Sequence, residues 1–221
     1  MLFSREILFK LSTYKKNRPK RKENEKQNIM KTDVYEEKPR TQSDYKSGSS
    51  NQEFDQAEIM KKVEAAGTPG PAHKALQALV GDWKAEVKCW MDPAGSPEIT
   101  QGTAKAKLAF NGRFLEEEFH GQMMGKPFTG KTLLGFDNTK QTFNSVWLSD
   151  TQTSIFTSEG KGDNGYKVIT LEGKANCPAT GRRDIPMKTV LRVLNPDKHV
   201  FEMFDGSKAN AKTMEITYSR Q

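Results

Sequence analysis

The chain is poor in the residues and patterns on which most recognisable chemistry is built. Among its 221 residues are two cysteines and three histidines. Cys89 and Cys177 stand far apart without paired spacing, which excludes a disulfide-rich scaffold and a zinc knuckle and leaves at most one bridge between them. His73 and His120 have no partner spacing for zinc. No run approaches the roughly 20 apolar residues of a membrane span, so a soluble, cytoplasmic protein is expected. There is no G-x-S-x-G elbow, no phosphate-binding loop, no dinucleotide fingerprint and no H-E-x-x-H helix. The glycine-rich stretch 160–165 lies between two strand-like runs, with no helix N-terminus to receive phosphate, and reads as a hairpin loop. No catalytic residue, metal or cofactor is called for, and the reading leans away from an enzyme.

What is abundant is positive charge, unevenly placed. Of 35 Lys and Arg and 28 Asp and Glu, residues 1–50 hold 13 and 7, so 22 and 21 remain for the rest. The basic balance is a property of the tail, whereas a nucleic-acid-binding domain carries its charge on folded faces that track phosphates. No specific nucleic-acid partner is expected; the run Arg18-Pro19-Lys20-Arg21-Lys22 reads as solvated tail. Residues 1–16 show helical apolar spacing broken by charge, without a small-residue cleavage site, so a secretory signal is not expected and an organelle-targeting or membrane-surface helix is the alternative. From 17 to 51 apolar residues are too few to offset the entropy of ordering the backbone, and 1–51 is predicted to be disordered.

Residues 52–70 form a short amphipathic helix and linker: Phe54, Ile59 and Val63 recur at near-helical spacing until Gly67-Thr68-Pro69-Gly70 ends the run, and the helix is expected to lie on the surface of the following domain. A tighter turn follows, with Pro71 near its start, Leu76, Leu79 and Val80 as its apolar side, and Gly81 at its end. Thereafter short runs rich in β-branched and aromatic residues alternate with turn chemistry, as at Asp92-Pro93, Asn111-Gly112, Asp137-Asn138 and Asp205-Gly206. About ten strands fit between Trp83 and Ser219 with short connections throughout. Residues 71–221 are therefore predicted to be an all-β domain, an antiparallel up-and-down barrel that closes on itself and leaves no exposed edge.

Strand alternation sorts the polar residues by face. Phe114, Glu116, Glu118 and His120 share one side; Leu115, Glu117 and Phe119 share the other, so with the apolar side inward Glu117 points into the lumen. An unpaired carboxylate there is costly and needs an Arg or a ligand as partner; the alternative is that 116–118 form a solvated acidic rim. His199, Phe201 and Met203 likewise share one face. A lone His on an apolar side is more often a hydrogen-bonded core residue than a ligand.

Gly81-Asp82-Trp83 at the start of the first strand, with Arg220 just past the last, resembles the G-x-W and terminal Arg signature of lipocalins and other calycins. In a closed barrel the first and last strands are neighbours, so the guanidinium covers the indole, an attraction of about 0.5–2 kcal/mol. A closer resemblance rests on an ordered set: Pro69-Gly70-Pro71-Ala72-His73, Gly112-Arg113-Phe114-Leu115, Gly125-Lys126-Pro127-Phe128-Thr129-Gly130, Gly135-Phe136-Asp137-Asn138, Trp147, Pro178-Ala179-Thr180-Gly181, His199-Val200-Phe201-Glu202-Met203 and Met214-Glu215-Ile216-Thr217-Tyr218-Ser219-Arg220. Over residues 55–220 these resemble the bacterial family called domain of unknown function 1579, which implies a calycin-like barrel and no established activity. Two positions depart from it: Phe136 stands where the family has Tyr, and Ser149 where it has Asp, with Asp150 one step late.

The resulting expectation is a non-catalytic barrel that binds a small apolar ligand in its lumen, with Glu117, Trp147, His199, Phe201 and Met203 as candidate contacts and Trp83 and Arg220 as structural closure. One alternative follows from the similarity of the architecture to haem-binding barrels of the nitrobindin type, in which His199 would hold the iron. The other is a structural or interaction module whose basic tail finds the partner.

Overall fold

The computed structural model describes residues 55–221; the disordered-tail expectation for 1–51, and Phe54, lie outside them. The first element is helix α1 (Gln56–Gly67), opened by Asp55, whose carboxylate accepts from the amides of Ala57 at 2.9 Å and Glu58 at 3.4 Å. Its apolar stripe does not lie down on the barrel as expected. Ile59 and Val63 are exposed, and the helix buries none of its residues. The physical reason is that the anchor is polar and sits at one end: the Asn138 side-chain amide donates to the carbonyls of Ala66 (3.0 Å) and Thr68 (2.8 Å). That clamp holds the C-terminal carbonyls without covering the apolar side.

Helix α2 (Pro71–Ala75) begins with proline at its first position, where the missing amide costs nothing. A 3-10 turn (Leu76–Leu79) continues it, and Ala72, Leu76 and Leu79 are buried. They pack against Ala106, Leu115, Leu134 and Phe143 in one core cluster. Each leucine so covered contributes about 1.5–3 kcal/mol, so this short segment closes one end of the domain by ordinary apolar burial.

Ten antiparallel strands follow: β1 (Gly81–Cys89), β2 (Glu98–Ala109), β3 (Phe114–Met123), β4 (Lys126–Asp137), β5 (Thr142–Ser149), β6 (Phe156–Gly162), β7 (Val168–Ala175), β8 (Ile185–Asn195), β9 (Lys198–Asp205) and β10 (Ala211–Arg220). Each pairs with its sequence neighbour, and β1 pairs with β10, so the sheet is a closed barrel. The closing register sets Trp83 opposite Arg220 and Ala85 opposite Tyr218. Arg220 is thus the last residue of β10, so the strand runs one residue further than the sequence implied. The stretch 160–165 also needs correction, because β6 runs on to Gly162 and the loop begins at Asp163. Gly160 is a strand residue for a steric reason: a Cβ there would strike the backbone of Thr170 and Leu171 on β7.

The barrel end beneath the 3-10 turn is sealed by Trp83, which is fully buried and whose Nε1 donates to the Leu79 carbonyl at 2.9 Å. The Arg220 guanidinium lies 4.3 Å from the indole centroid and donates to the carbonyls of Val80 (3.2 Å) and Pro196 (2.7 Å). Gly81 makes this approach possible, since at φ 138° a Cβ would collide with the guanidinium. One residue therefore ties the 3-10 turn, the β8–β9 turn and β10 to the Trp83 ring.

Candidate functional site

Inward positions recur at every second residue of each strand, and they do not fill the barrel. A cavity of about 220 Å³ remains, walled mainly by Phe119, Trp147, Phe201, Met203, Leu171 and Ile216. Two inward positions carry no side chain where bulk is nearby: Gly130 lies under Trp147, and a Cβ there would collide with the indole, while Gly173 faces Phe156 and Ser158. Aromatic rings bank against each other along one wall, with Phe119 5.7 Å from Phe128 and 6.5 Å from Tyr218 between centroids. Polar groups are sparse in this lining. They include the Ser145, Ser158 and Thr189 hydroxyls, Glu117 and Tyr218.

Glu117 occupies the inward face of β3, between Ala106 on β2 and Thr132 on β4. Its two neighbours in sequence face outward and are paired there, Glu116 with Lys107 at 3.4 Å and Glu118 with Lys131 at 3.1 Å. The acidic triplet is thus split by the pleat, two carboxylates in solvent and one in the lumen. Glu117 is half-buried and lines the cavity. Burial raises its carboxyl from 4.5 to about 7, an effect only partly offset by a hydrogen bond from the Tyr218 phenol. The same desolvation, with the nearby carboxylate, pushes the phenol well above its ordinary value. Tyr218 comes from β10, which β1 and β2 separate from β3, so the two groups are brought together by the barrel wall and not by sequence or direct strand pairing.

His199 sits deeper, beside the Trp83 plug. Its ring stacks on Tyr218 at 4.3 Å with 14° between planes, and meets the edge of Trp83 at 4.4 Å. It is 2% exposed, and its Nδ1 has no hydrogen-bond partner. Burial, reinforced by the Arg220 charge, depresses its pKa to about 4, so the imidazole is neutral at physiological pH.

The seven residues singled out in the sequence therefore fall into two neighbouring groups. Glu117, Trp147, His199, Phe201 and Met203 all line the same cavity, and Trp83 and Arg220 form the plug beneath it. Sequence reasoning missed Tyr218 as a lumen residue, because nothing local signals that it approaches Glu117, whereas alternation by itself sets Phe119 on the same inward face as Glu117. Cys89 lines the lumen and Cys177 lies on the β7–β8 loop, and both are free thiols. Among the described residues, no group of three or more His, Cys, Asp or Glu is placed to hold a metal ion, and no helix is long and apolar enough to cross a membrane.

The family described as Protein of unknown function (DUF1579) matches residues 68–220. No curated protein matches. Among solved structures, Rv2717c from M. tuberculosis is similar at 16% identity and a TM-score of 0.53, over 70% of this chain and 99% of that one. A redesigned β-barrel aligns at 14% identity and a TM-score of 0.36, over 66% of this chain and 95% of that one. The structure of EF1p2_mFAP2b bound to DFHBI aligns at 14% identity and a TM-score of 0.37, over 68% and 99%. At these identities the likeness to Rv2717c is one of fold.

Proposed function

The chain belongs to the DUF1579 family of proteins of unknown function, and on that premise we propose that its barrel lumen binds a small, largely apolar ligand without transforming it. The observation that carries this reading is the cavity of about 220 Å³ inside an otherwise closed barrel, walled by aromatic and aliphatic side chains. Dry apolar cavities of about 150 Å³ are large enough to take up benzene, so this lumen suits a molecule of one or two small rings. Binding there is driven by apolar area and shape, with a few polar groups for orientation. The protein's own structure supplies a further reason to look to the lumen: an inward carboxyl and an unpartnered imidazole nitrogen are costly to a fold unless something uses them.

The haem alternative rests on the neutral imidazole of His199, which is a competent iron ligand. It is the weaker reading, because that ring is clamped between Tyr218 and Trp83 at the deepest part of the lumen, where a macrocycle has no room unless the wall moves. Its test is an absorbance spectrum of protein produced with added haem. A Soret band abolished by His199→Ala would revive it. The lumen reading is tested by mass spectrometry of small molecules released from protein purified without denaturant. A stoichiometric apolar compound is expected, and protein that neither carries such a compound nor takes up any apolar probe of matching size would overturn it.

A further inference from the structure

We propose that the ligand of this lumen carries a protonated nitrogen that pairs with Glu117: a small apolar amine, seated with its hydrocarbon part against Phe119, Trp147 and Phe201. The inference deepens the lumen reading and rests on it. Its basis is a charge mismatch inside the barrel. Among the residues lining the cavity there is one carboxyl, Glu117, and no Lys or Arg. The titratable groups that share the lumen with it are Tyr218 from β10, His199 from β9 and Cys89 from β1. The Tyr218 phenol favours the ionised form of the carboxyl but brings no positive charge. His199 is held neutral by its own burial and by Arg220. The flanking residues on β2 and β4, Ala106 and Thr132, carry no charge.

This arrangement differs from the treatment of the other buried or half-buried acids in the domain. Glu202 is paired with Arg192 at 3.0 Å and with Lys212, and Asp205 accepts from the amide of Ser207 at 2.9 Å. Glu117 alone among the lumen residues leaves a carboxylate's acceptor capacity and charge facing the cavity. A carboxylate already stripped of water by the fold interacts strongly with a cation that enters beside it, since the desolvation cost of the acid is borne before the ligand arrives. A neutral ligand of the same shape gains nothing from that group. The chemistry therefore selects an apolar cation over its hydrocarbon isostere.

The test uses the full-length protein and a matched pair of probes, 2-phenylethylamine and propylbenzene, titrated by calorimetry at pH 8 into wild type and Glu117→Gln. Hydrogen bonds to charged groups are worth enough that the wild type should prefer the amine by roughly 10- to 100-fold. Glu117→Gln should lose that preference while still binding propylbenzene, which also reports that the variant is folded with its lumen open. Equal affinities in the wild type, preference for the hydrocarbon, or an amine preference that survives in Glu117→Gln would overturn the amine inference and leave the lumen reading standing. Failure of wild type to bind either probe would overturn both.

Discussion

Replacing Glu117 by Gln removes the titration of the lumen and keeps the shape of the side chain, so its effect on stability should depend on pH in a calculable way. Burial holds the carboxyl at about 7 in the folded state against an ordinary 4.5. A raised pKa means that the folded protein binds the proton more tightly than the unfolded chain does. The stability this confers is complete below pH 4.5 and is lost as pH rises through 7. With a shift of roughly 2.5 pH units and 1.36 kcal/mol for each, the total loss is about 3 kcal/mol, of which about 2.5 kcal/mol falls between pH 5 and pH 8. Glu117→Gln does not titrate and escapes this loss. Urea unfolding of both proteins should therefore show stabilities that diverge in favour of the variant by about 2.5 kcal/mol from pH 5 to pH 8. For an m-value of about 2 kcal/mol/M that is a midpoint gap widening by roughly 1 M. The wild-type profile alone is not diagnostic, because the depressed pKa of His199 near 4 acts in the opposite sense and removes stability as pH falls below 6.5. Taking the difference between the two proteins cancels His199. A gap that stays constant from pH 5 to pH 8 would refute the placement of Glu117 in a water-excluded lumen.

Tyr218→Phe removes the phenol that favours the ionised form of Glu117, so the carboxyl pKa should rise above its value of about 7; carboxyl titration followed by NMR of the Glu117 side chain checks this, and an unchanged or lowered pKa contradicts it. Arg220→Ala uncovers Trp83 and breaks the bonds to the Val80 and Pro196 carbonyls, with an expected cost of about 2–3 kcal/mol in chemical denaturation. Arg220→Lys should recover less than half of that, since an ammonium cannot reproduce the planar fork over the indole; full recovery would show that charge alone suffices.

Strand number, short connections and barrel closure were legible from the spacing of turn residues, because each hairpin announces itself locally. The inward orientation of Glu117 was legible too, since Leu115 and Phe119 flank it at period two. Its partner was not. The Tyr218 contact depends on the curvature of the barrel and on the stagger of β3 against β10, and neither leaves a mark within a few residues of either position. Gly160 was misassigned to a turn because glycine in sequence looks the same whether it permits a bend or makes room for a neighbouring strand. The apolar stripe of α1 was read as a packing face by the same logic that correctly identified Leu76 and Leu79. What separates the two is the tether: a short link and a proline hold the second segment over the barrel end, whereas Asn138 grips α1 by its last carbonyls.

The central claim is that an accessible apolar cavity, and not a packed core, lies inside the barrel, and filling it tests this most directly. Ser145 lines the lumen, and Ser145→Phe adds a ring where the cavity is open. Calorimetric titration with propylbenzene should show one saturable site in the wild type and binding weakened by at least about tenfold in a Ser145→Phe variant that remains folded, since most of the volume available to the probe is then occupied. Equal binding by the two folded proteins, or none by the wild type, would contradict the account.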